Sequence, residues 1–228
     1  MLIPKYADWN IKFASNELSI VYQEKSRFAS QLNSKNWYEI LMKKEVAFGR
    51  SDPNADPCGY RTILSLELAE KYYKKPGLAK MIFEKDQNYI RPKEVDLLAL
   101  LESGSIDYIF LYLSVAIQHN LKYITLHDKI NLKNMGLAGQ YATVTTEING
   151  KVPGKKETVN GEPMVYSVTM LRNAPNKLAT IAFLQFLLSK NKGMKIMAKN
   201  GQSSLIPMTI QNYDKVLKKL KEFAKAKY

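Results

Sequence analysis

The chain has 228 residues, of which 46% are hydrophobic and 24% charged, and its net charge is +13 at pH 7. This composition is typical of a folded protein with one domain or two small lobes, and it excludes an intrinsically disordered chain. One cysteine excludes an internal disulfide framework, no apolar run reaches the ~18 residues of a membrane span, and the scattered basic residues form no nucleic-acid-binding motif, so no nucleic-acid partner is expected.

The first predicted elements are strands over residues 17–22 (ELSIVY) and 46–50 (VAFGR), with a short helix, NWYEILMKK, between them. The segment SDPNADPCGYRT follows, which combines two Asp-Pro pairs, the cysteine and a glycine. Asp56 is placed as an N-cap and Pro57 as the first helical residue, a favoured pair at a helix start. Apolar residues at i, i+4 spacing then predict an amphipathic helix over 57–75.

The next elements lie in RPKEVDLLALLESGSIDYIFLYLSVAIQHNLKYITL. Pro92 can open a helix whose buried face is formed by Leu97, Leu98 and Leu101, and Gly104 can end it. The segments IDYIFLY and KYITL are predicted strands on either side of a short helix, SVAIQHN. The alternation of strand and helix predicts an α/β fold with parallel strand pairing.

The pattern changes after Leu132, where YATVTTEI and MVYSVTML are predicted strands around a projecting polar hairpin loop, NGKVPGKKETVNGEP. The helix NKLATIAFLQFLLSKNKG is expected to end at Gly193, and a shorter helix, MKIMAKNG, at Gly201. In KVLKKLKEFAKAKY the apolar residues fall on one face, which predicts a basic C-terminal helix within 211–228.

Two predicted helix starts are candidate anion sites, one after Arg50 and one near Val95, because free N–H groups and the positive end of the helix dipole favour an anion. Ordinary capping would explain the same residues. Cys58 is either a nucleophile activated by the helix start or a small buried residue whose backbone N–H matters more than its thiol. Tyr112 ends a strand, where α/β sheets place ligand contacts, or is a core aromatic.

The segments SDPNADPCGYR, RPKEVDLLALLESGSIDYIFLYLSVAIQHNL and RNAPNKLATIAFLQFLLS closely resemble the archaeal tungstate/molybdate-binding proteins of ABC transporters. The resemblance extends over nearly the whole chain. It implies an α/β fold of the type II periplasmic-binding-protein kind, with one complete lobe and the C-terminal part of a second. Residues 1–19 are then expected to end lobe 1 and form a hinge strand, 20–130 to form lobe 2, 131–210 to return to lobe 1, and 211–228 to be the C-terminal helix.

The same resemblance implies the site residues. Asp56 and Glu94 resemble carboxylates that contact the metal of the bound oxyanion. The backbone N–H groups of Cys58 and Val95 and the Tyr112 hydroxyl resemble donors to its oxygens. Mo(VI) and W(VI) are hard ions that can add oxygen neighbours, whereas sulfur in sulfate cannot. Two carboxylates are therefore expected to accept tungstate or molybdate and to repel sulfate and phosphate.

The function implied is the solute-binding component of an ABC importer, not an enzyme, whose cargo is tungstate or molybdate and whose partner is a membrane permease. No organic cofactor is implied. Family members carry a further first-lobe segment, so the sequence resembles an N-terminally truncated form with weakened binding, and a partner chain that supplies the segment is one explanation.

The resemblance implies a location at the extracellular face of the cell membrane. However, MLIPKYADWN lacks the basic start and apolar core of a signal peptide, which predicts a cytoplasmic chain if it is translated as written. The alternative function is therefore an intracellular oxyanion-sensing or regulatory binding module.

Overall fold

The computed structural model describes residues 2–85 and 87–227, so the ends of the predicted ranges 1–19 and 211–228 lie outside it. The described chain forms two compact units, each with its own hydrophobic core. We call residues 17–164 the central unit, and residues 2–16 with 165–227 the terminal unit. No helix in the described part of the chain is long and apolar enough to cross a membrane.

The strands follow one another in the order β1 (Ile11–Ser15), β2 (Leu18–Tyr22), β3 (Phe48–Ser51), β4 (Ile90–Arg91), β5 (Tyr108–Tyr112), β6 (Lys122–Thr125), β7 (Thr145–Asn149), β8 (Lys156–Asn160), β9 (Val165–Val168), β10 (Ser203–Ser204), β11 (Met208–Ile210) and β12 (Ala224–Ala226). The α-helices are α1 (Trp37–Leu41), α2 (Pro57–Tyr73), α3 (Leu78–Glu84), α4 (Asp96–Ser103), α5 (Leu113–Gln118), α6 (Ala138–Tyr141), α7 (Lys177–Leu188) and α8 (Gly193–Lys199). Short 3-10 segments cover Gln87–Tyr89, Met135–Leu137, Tyr213–Lys215 and Lys218–Phe223.

A mixed five-stranded sheet, ordered β4-β3-β5-β2-β6, forms the centre of the central unit. Strand β3 pairs in parallel with β4 and β5, but β2 pairs antiparallel with β5 and β6. The expected parallel pairing is therefore right for β3, β4 and β5 and wrong for β2. Strands β5 and β6 run in the same direction, as a crossover through α5 requires, and β2 is inserted between them.

Residues 131–164 belong to the central unit, whereas the family resemblance predicts that residues 131–210 return to lobe 1. Leu132, Tyr141, Val144 and Met164 belong to the central core, and the Met164 N–H donates to the Leu132 carbonyl at 2.7 Å. Core contacts made by residues far apart in sequence thus decide where this stretch belongs.

The hairpin in this region forms between strands other than the two that the sequence predicts. Strand β7 pairs antiparallel with β8, which comes from inside the supposed loop, while β9 pairs with β1 in the terminal unit. The β8 residues are polar because most of them are exposed to solvent, so they lack the apolar alternation on which the prediction depended.

The terminal unit has a three-stranded antiparallel sheet, ordered β10-β1-β9, with α7 and α8. Helix α7 ends at Leu188, earlier than predicted, and Gly193 begins α8. A Cβ at Gly193 would lie 2.3 Å from the Leu187 carbonyl oxygen, so the glycine permits a close approach of the backbone and does not end a helix.

The C-terminal α-helix predicted within 211–228 was wrong. The chain forms a 3-10 segment over Lys218–Phe223, and then β12 pairs in parallel with β11. Leu220 and Phe223 are buried, as the apolar pattern predicted. Closely spaced lysines disfavour a longer α-helix, and the hydrogen bonds that β11 offers favour a strand.

Candidate functional site

The start of α2 lies close against the loop that follows β3. Asp56 has an extended backbone and its Oδ1 accepts a hydrogen bond from the Cys58 N–H at 2.8 Å, which confirms the predicted N-cap. A Cβ at Gly59 would lie 2.5 Å from the Asp52 carbonyl carbon and 2.6 Å from the Pro53 nitrogen. Glycine is therefore required here, because the first turn of the helix touches backbone.

Asp56 also connects α2 to the turn before α4. Its Oδ2 accepts a hydrogen bond from the Glu94 N–H at 2.8 Å. Helix α4 begins at Asp96 and not at Pro92 as predicted, because a turn occupies residues 92–95 and the Lys93 N–H donates to the Asp96 side chain at 3.2 Å. The adjacent parallel strands β3 and β4 deliver both turns to the same edge of the sheet.

The Glu94 carboxyl group is partly buried and lies near the negative charge of Asp56. Burial is the main cause that raises its pKa from 4.5 to about 7, and the Asp56 charge adds to the increase. The Cys58 thiol and the Arg61 guanidinium act in the opposite direction. Within the described residues, Glu94 Oε2 is buried and has no hydrogen-bond partner. This oxygen has lone pairs to offer a ligand.

Tyr112 ends β5 and is held by Arg61, which is not among the site residues predicted from the sequence. The Arg61 Nη1 donates a hydrogen bond to the Tyr112 hydroxyl at 2.7 Å, and the guanidinium carbon is 5.5 Å from the Tyr60 ring centre. Burial raises the pKa of Tyr112 well above its usual value, so its hydroxyl keeps its proton. The hydroxyl oxygen accepts from Arg61, so the hydroxyl hydrogen remains available as a donor.

The Cys58 side chain is fully buried, and its Sγ lies 3.8 Å from the Phe110 carbonyl oxygen. Burial, followed by the nearby Glu94 and Asp56 carboxylates, raises the pKa of the thiol well above its ordinary value. A nucleophile needs a lowered pKa, so this environment disagrees with the thiol hypothesis and agrees with a small buried residue. The Cys58 N–H is already engaged by Asp56.

Val95 lies at the N-cap position of α4 and is about half exposed. No acceptor for its N–H is found in the part of the chain that the structure describes. The structure thus brings Asp56, Glu94 and Cys58 into contact, with Val95 beside them.

Arg61 lowers the pKa of the Glu94 carboxyl, and Cys58 is among the groups that raise the pKa of the Arg61 guanidinium. It is in the motif CGYR, three residues after Cys58 and so on the same face of α2, which is the signal that could have identified it. The ligand roles of these residues remain predictions.

Comparison with known proteins gives the family. The sequence model of the bacterial extracellular solute-binding proteins matches residues 3–202. An uncharacterized solute-binding protein of Petrotoga mobilis is 47% identical over 226 residues, which are 99% of this chain and 70% of that protein. The molybdate/tungstate-binding protein WtpA of Pyrococcus abyssi is 44% identical over 229 residues, 91% of this chain and 65% of that protein.

A solved structure supports the fold. The substrate-binding domain of a putative molybdenum ABC transporter from Clostridium difficile has a TM-score of 0.55 at 17% identity and covers 86% of this chain and 66% of that domain. At this identity the likeness shows the fold alone, and it confirms the expected α/β periplasmic-binding-protein class. The chain spans about two thirds of the length of the proteins that it matches.

Proposed function

Because the chain belongs to the bacterial extracellular solute-binding protein family, we propose that it is the solute-binding component of an ABC importer and that its cargo is tungstate or molybdate. The name of the Pyrococcus abyssi relative supports this choice of cargo. The observation that carries the proposal is the hydrogen bond from the Glu94 N–H to the Asp56 carboxylate, which holds the N-cap of α2 against the turn before α4. The Glu94 carboxyl lies close enough to Asp56 for the Asp56 charge to raise its pKa. The permease partner, the extracellular location and the absence of a catalytic role are parts of the same proposal.

The carboxylates of Asp56 and Glu94 can distinguish tungstate and molybdate from sulfate and phosphate. No cluster of three or more His, Cys, Asp or Glu side chains that could hold a metal ion by itself exists among residues 2–85 and 87–227. Tungstate and molybdate bring their own oxygens to the metal, so Asp56 and Glu94 need only add to that set. The sulfur of sulfate and the phosphorus of phosphate do not add further oxygen ligands, so the same carboxylates only repel these anions.

Asp56 can serve this purpose although both of its oxygens already accept hydrogen bonds. Each carboxylate oxygen has two lone pairs, and the backbone N–H groups of Cys58 and Glu94 each use one. These two bonds fix the orientation of the carboxylate before the cargo arrives. Because the Asp56 carboxylate is already oriented, less conformational entropy is lost when it coordinates the metal of the cargo.

Arg61 and Tyr112 supply the groups that a dianion needs. The guanidinium offsets the charge of the two carboxylates, and its hydrogen bond to the Tyr112 oxygen strengthens that hydroxyl as a donor. Tyr112 would donate to an oxygen of the cargo, as the family resemblance implies. The Val95 N–H, at the positive end of α4, is a second donor.

Calorimetric titration of the chain with sodium tungstate, molybdate and sulfate tests the proposal. We expect tungstate or molybdate to bind at least about tenfold tighter than sulfate, which is ~1.4 kcal/mol. Glu94→Gln should reduce this preference because it removes a charged metal ligand. Tyr112→Phe should weaken binding about tenfold without changing the preference, because it removes one hydrogen-bond donor.

The matched control is Glu102→Gln, which removes the charge of an exposed glutamate at the end of α4. It should leave all three affinities unchanged. Equal affinities for tungstate and sulfate, or an unchanged preference in Glu94→Gln, would contradict the proposed cargo. The ratio of affinities makes the test independent of how tightly the chain binds.

A further inference from the structure

Almost all of the net positive charge of the chain is in the terminal unit. This unit has fourteen lysine and arginine residues against three aspartate and glutamate residues, a net charge of +11, whereas the whole chain carries +13. The central unit is nearly twice as long and carries the remaining +2. A charge asymmetry of this kind is typical of a chain with one surface that binds an extended anionic partner.

Neighbouring carboxylates do not neutralise the lysines of the terminal unit. In the central unit, Lys122 pairs with Glu24 and the buried Glu17 with Lys133. The ion pair of the terminal unit joins Arg172, its single arginine, to Asp8 at 2.6 Å. Among residues 2–85 and 87–227, none of the thirteen lysines of the unit lies within ion-pair distance of an aspartate or glutamate. Their charge is therefore available to a partner.

Five exposed lysines lie on neighbouring elements of this unit. Helix α7 packs against α8 and against the 3-10 segment Lys218–Phe223. Gln185 in α7 donates a hydrogen bond from Nε2 to the Lys219 carbonyl at 3.4 Å, and the start of α8 touches the end of α7 at Gly193. The connection between the helices, the first turn of α8 and the 3-10 segment are thereby brought together. We call their exposed lysines the lysine surface: Lys190, Lys192, Lys195, Lys218 and Lys219.

We propose that the lysine surface binds the anionic headgroups of a phospholipid membrane. Clusters of about 4–8 lysine or arginine residues are attracted to the negative surface potential of such a membrane, and each residue adds to the attraction. The permease of the proposed function would place a membrane close to the chain, and to that extent the inference rests on that function. The binding itself involves neither the cargo nor the residues that would hold it.

The predominance of lysine favours lipid over other anionic partners. Thirteen of the fourteen basic residues in the terminal unit are lysine. Protein interfaces are enriched in arginine and depleted of lysine, and arginine is also the residue that forms paired hydrogen bonds with bases and phosphates of nucleic acids. Lysine is a strongly hydrated point charge, which suits the diffuse attraction of a layer of headgroups. An acidic protein and a nucleic acid therefore fit less well.

Vesicle flotation of the whole chain tests the proposal. One set of vesicles contains phosphatidylcholine alone, and the other contains phosphatidylcholine and phosphatidylglycerol in equal parts. We expect the chain to float with the anionic vesicles and not with the neutral ones. The association constant should fall at least about tenfold between about 0.01 M and about 1 M salt, because the Debye length shortens from about 30 Å to about 3 Å.

A variant with four substitutions in the lysine surface assigns the binding. Glutamine keeps most of the length of lysine and removes its charge, so we expect the association constant for anionic vesicles to fall at least about tenfold. The variant combines Lys192→Gln, Lys195→Gln, Lys218→Gln and Lys219→Gln.

The matched control removes the same charge from exposed lysines of the central unit. It combines Lys35→Gln, Lys44→Gln, Lys129→Gln and Lys151→Gln. Both variants have the same net charge, so a difference between them reports the position of the lysines and not the charge of the chain. We expect the control to bind anionic vesicles within about threefold of the parent chain, because the lysine surface is intact.

A measurement on the parent chain keeps the test decisive if the variant with four substitutions does not fold. Acetylation of lysines by a soluble reagent is followed residue by residue by mass spectrometry, with and without anionic vesicles. We expect the vesicles to slow acetylation of the lysine surface at least about threefold and to leave the four control lysines unchanged.

Three results would overturn the proposal. The first is equal flotation with neutral and anionic vesicles, or none with either. The second is an equal loss of binding in the two variants, or equal protection of the two sets of lysines from acetylation. The third is complete displacement from anionic vesicles by a DNA duplex or by polyglutamate at the same concentration of negative charge, since a nucleic acid or an acidic protein would then be the better partner. None of these readouts uses tungstate, so failure here is distinguishable from failure of the proposed function.

Discussion

The position of Glu94 beside Asp56 is suitable for a second carboxylate ligand, but it disfavours the ionised form of Glu94 in the ligand-free protein. Burial and the Asp56 charge raise its pKa from 4.5 to about 7. The folded state therefore binds this proton more tightly than the unfolded state does. The resulting stabilisation is complete below about pH 4.5 and is lost as the pH rises through about 7.

Glu94→Gln should remove this pH dependence. We expect the melting temperature of the ligand-free variant to exceed that of the parent chain at about pH 8, and the gain to shrink or vanish at about pH 5, where Glu94 is already protonated. Thermal unfolding of both proteins at the two pH values measures the difference. Glu102→Gln is the control and should show no such dependence; a gain in Glu94→Gln that is equal at both pH values would contradict the assigned cause.

The N-cap at Asp56 could be predicted from sequence because its bond to the Cys58 N–H spans two residues. The bond from Asp56 to the Glu94 N–H spans 38 residues, and only the pairing of β3 with β4 brings the two together. The family resemblance, not the local pattern, identified Glu94. Arg61 was missed because its role depends on Tyr112, which lies 51 residues away.

At the scale of elements, the start of α2 depends on how closely the helix approaches the loop after β3. A Cβ at Gly59 would meet backbone atoms of Ser51, Asp52 and Pro53 at 2.5 to 2.6 Å, and backbone cannot move aside as a flexible side chain can. Gly59→Ala should therefore destabilise the fold by about 1–3 kcal/mol, measured by urea denaturation.

Gly139→Ala in α6 is the matched control for Gly59→Ala. Nothing lies within 4 Å of a Cβ at Gly139, and alanine favours a helix more than glycine does. We expect its stability to be unchanged or higher by up to ~1 kcal/mol. Equal effects of the two substitutions would show that the approach of α2 to the loop is looser than described.

Elements whose signals are local were predicted well, and elements that depend on distant partners were not. Helix α2 was expected over 57–75 and extends over Pro57–Tyr73, since its cap, proline and apolar spacing all lie within the helix. The pairing of β7 with β8 was missed because the choice among strands depends on tertiary contacts. The C-terminal helix failed for the same reason, since β11 supplies the competing hydrogen bonds.

At the scale of the whole molecule, the buried apolar residues of the described chain form three clusters, two in the central unit and one in the terminal unit. The central unit holds a five-stranded sheet with large buried aromatic residues, including Trp37 and Phe110. The terminal unit is smaller, and three large apolar side chains of α7, Leu178, Phe183 and Phe186, are exposed. Because stability increases with the apolar area that is buried, we expect the terminal unit to unfold at the lower temperature.

Two core substitutions distinguish the units in scanning calorimetry. Leu220→Ala in the terminal core should lower the first transition and leave the second unchanged, whereas Leu68→Ala in the central core should do the reverse. Both leucines are almost fully buried, so each change should cost about 2–5 kcal/mol in the unit that contains it. Hydrogen exchange in α2 and α7 would assign each transition to its unit. A single transition that both substitutions lower equally would mean that the two cores unfold as one, and the difference in their sizes would then have no separate consequence.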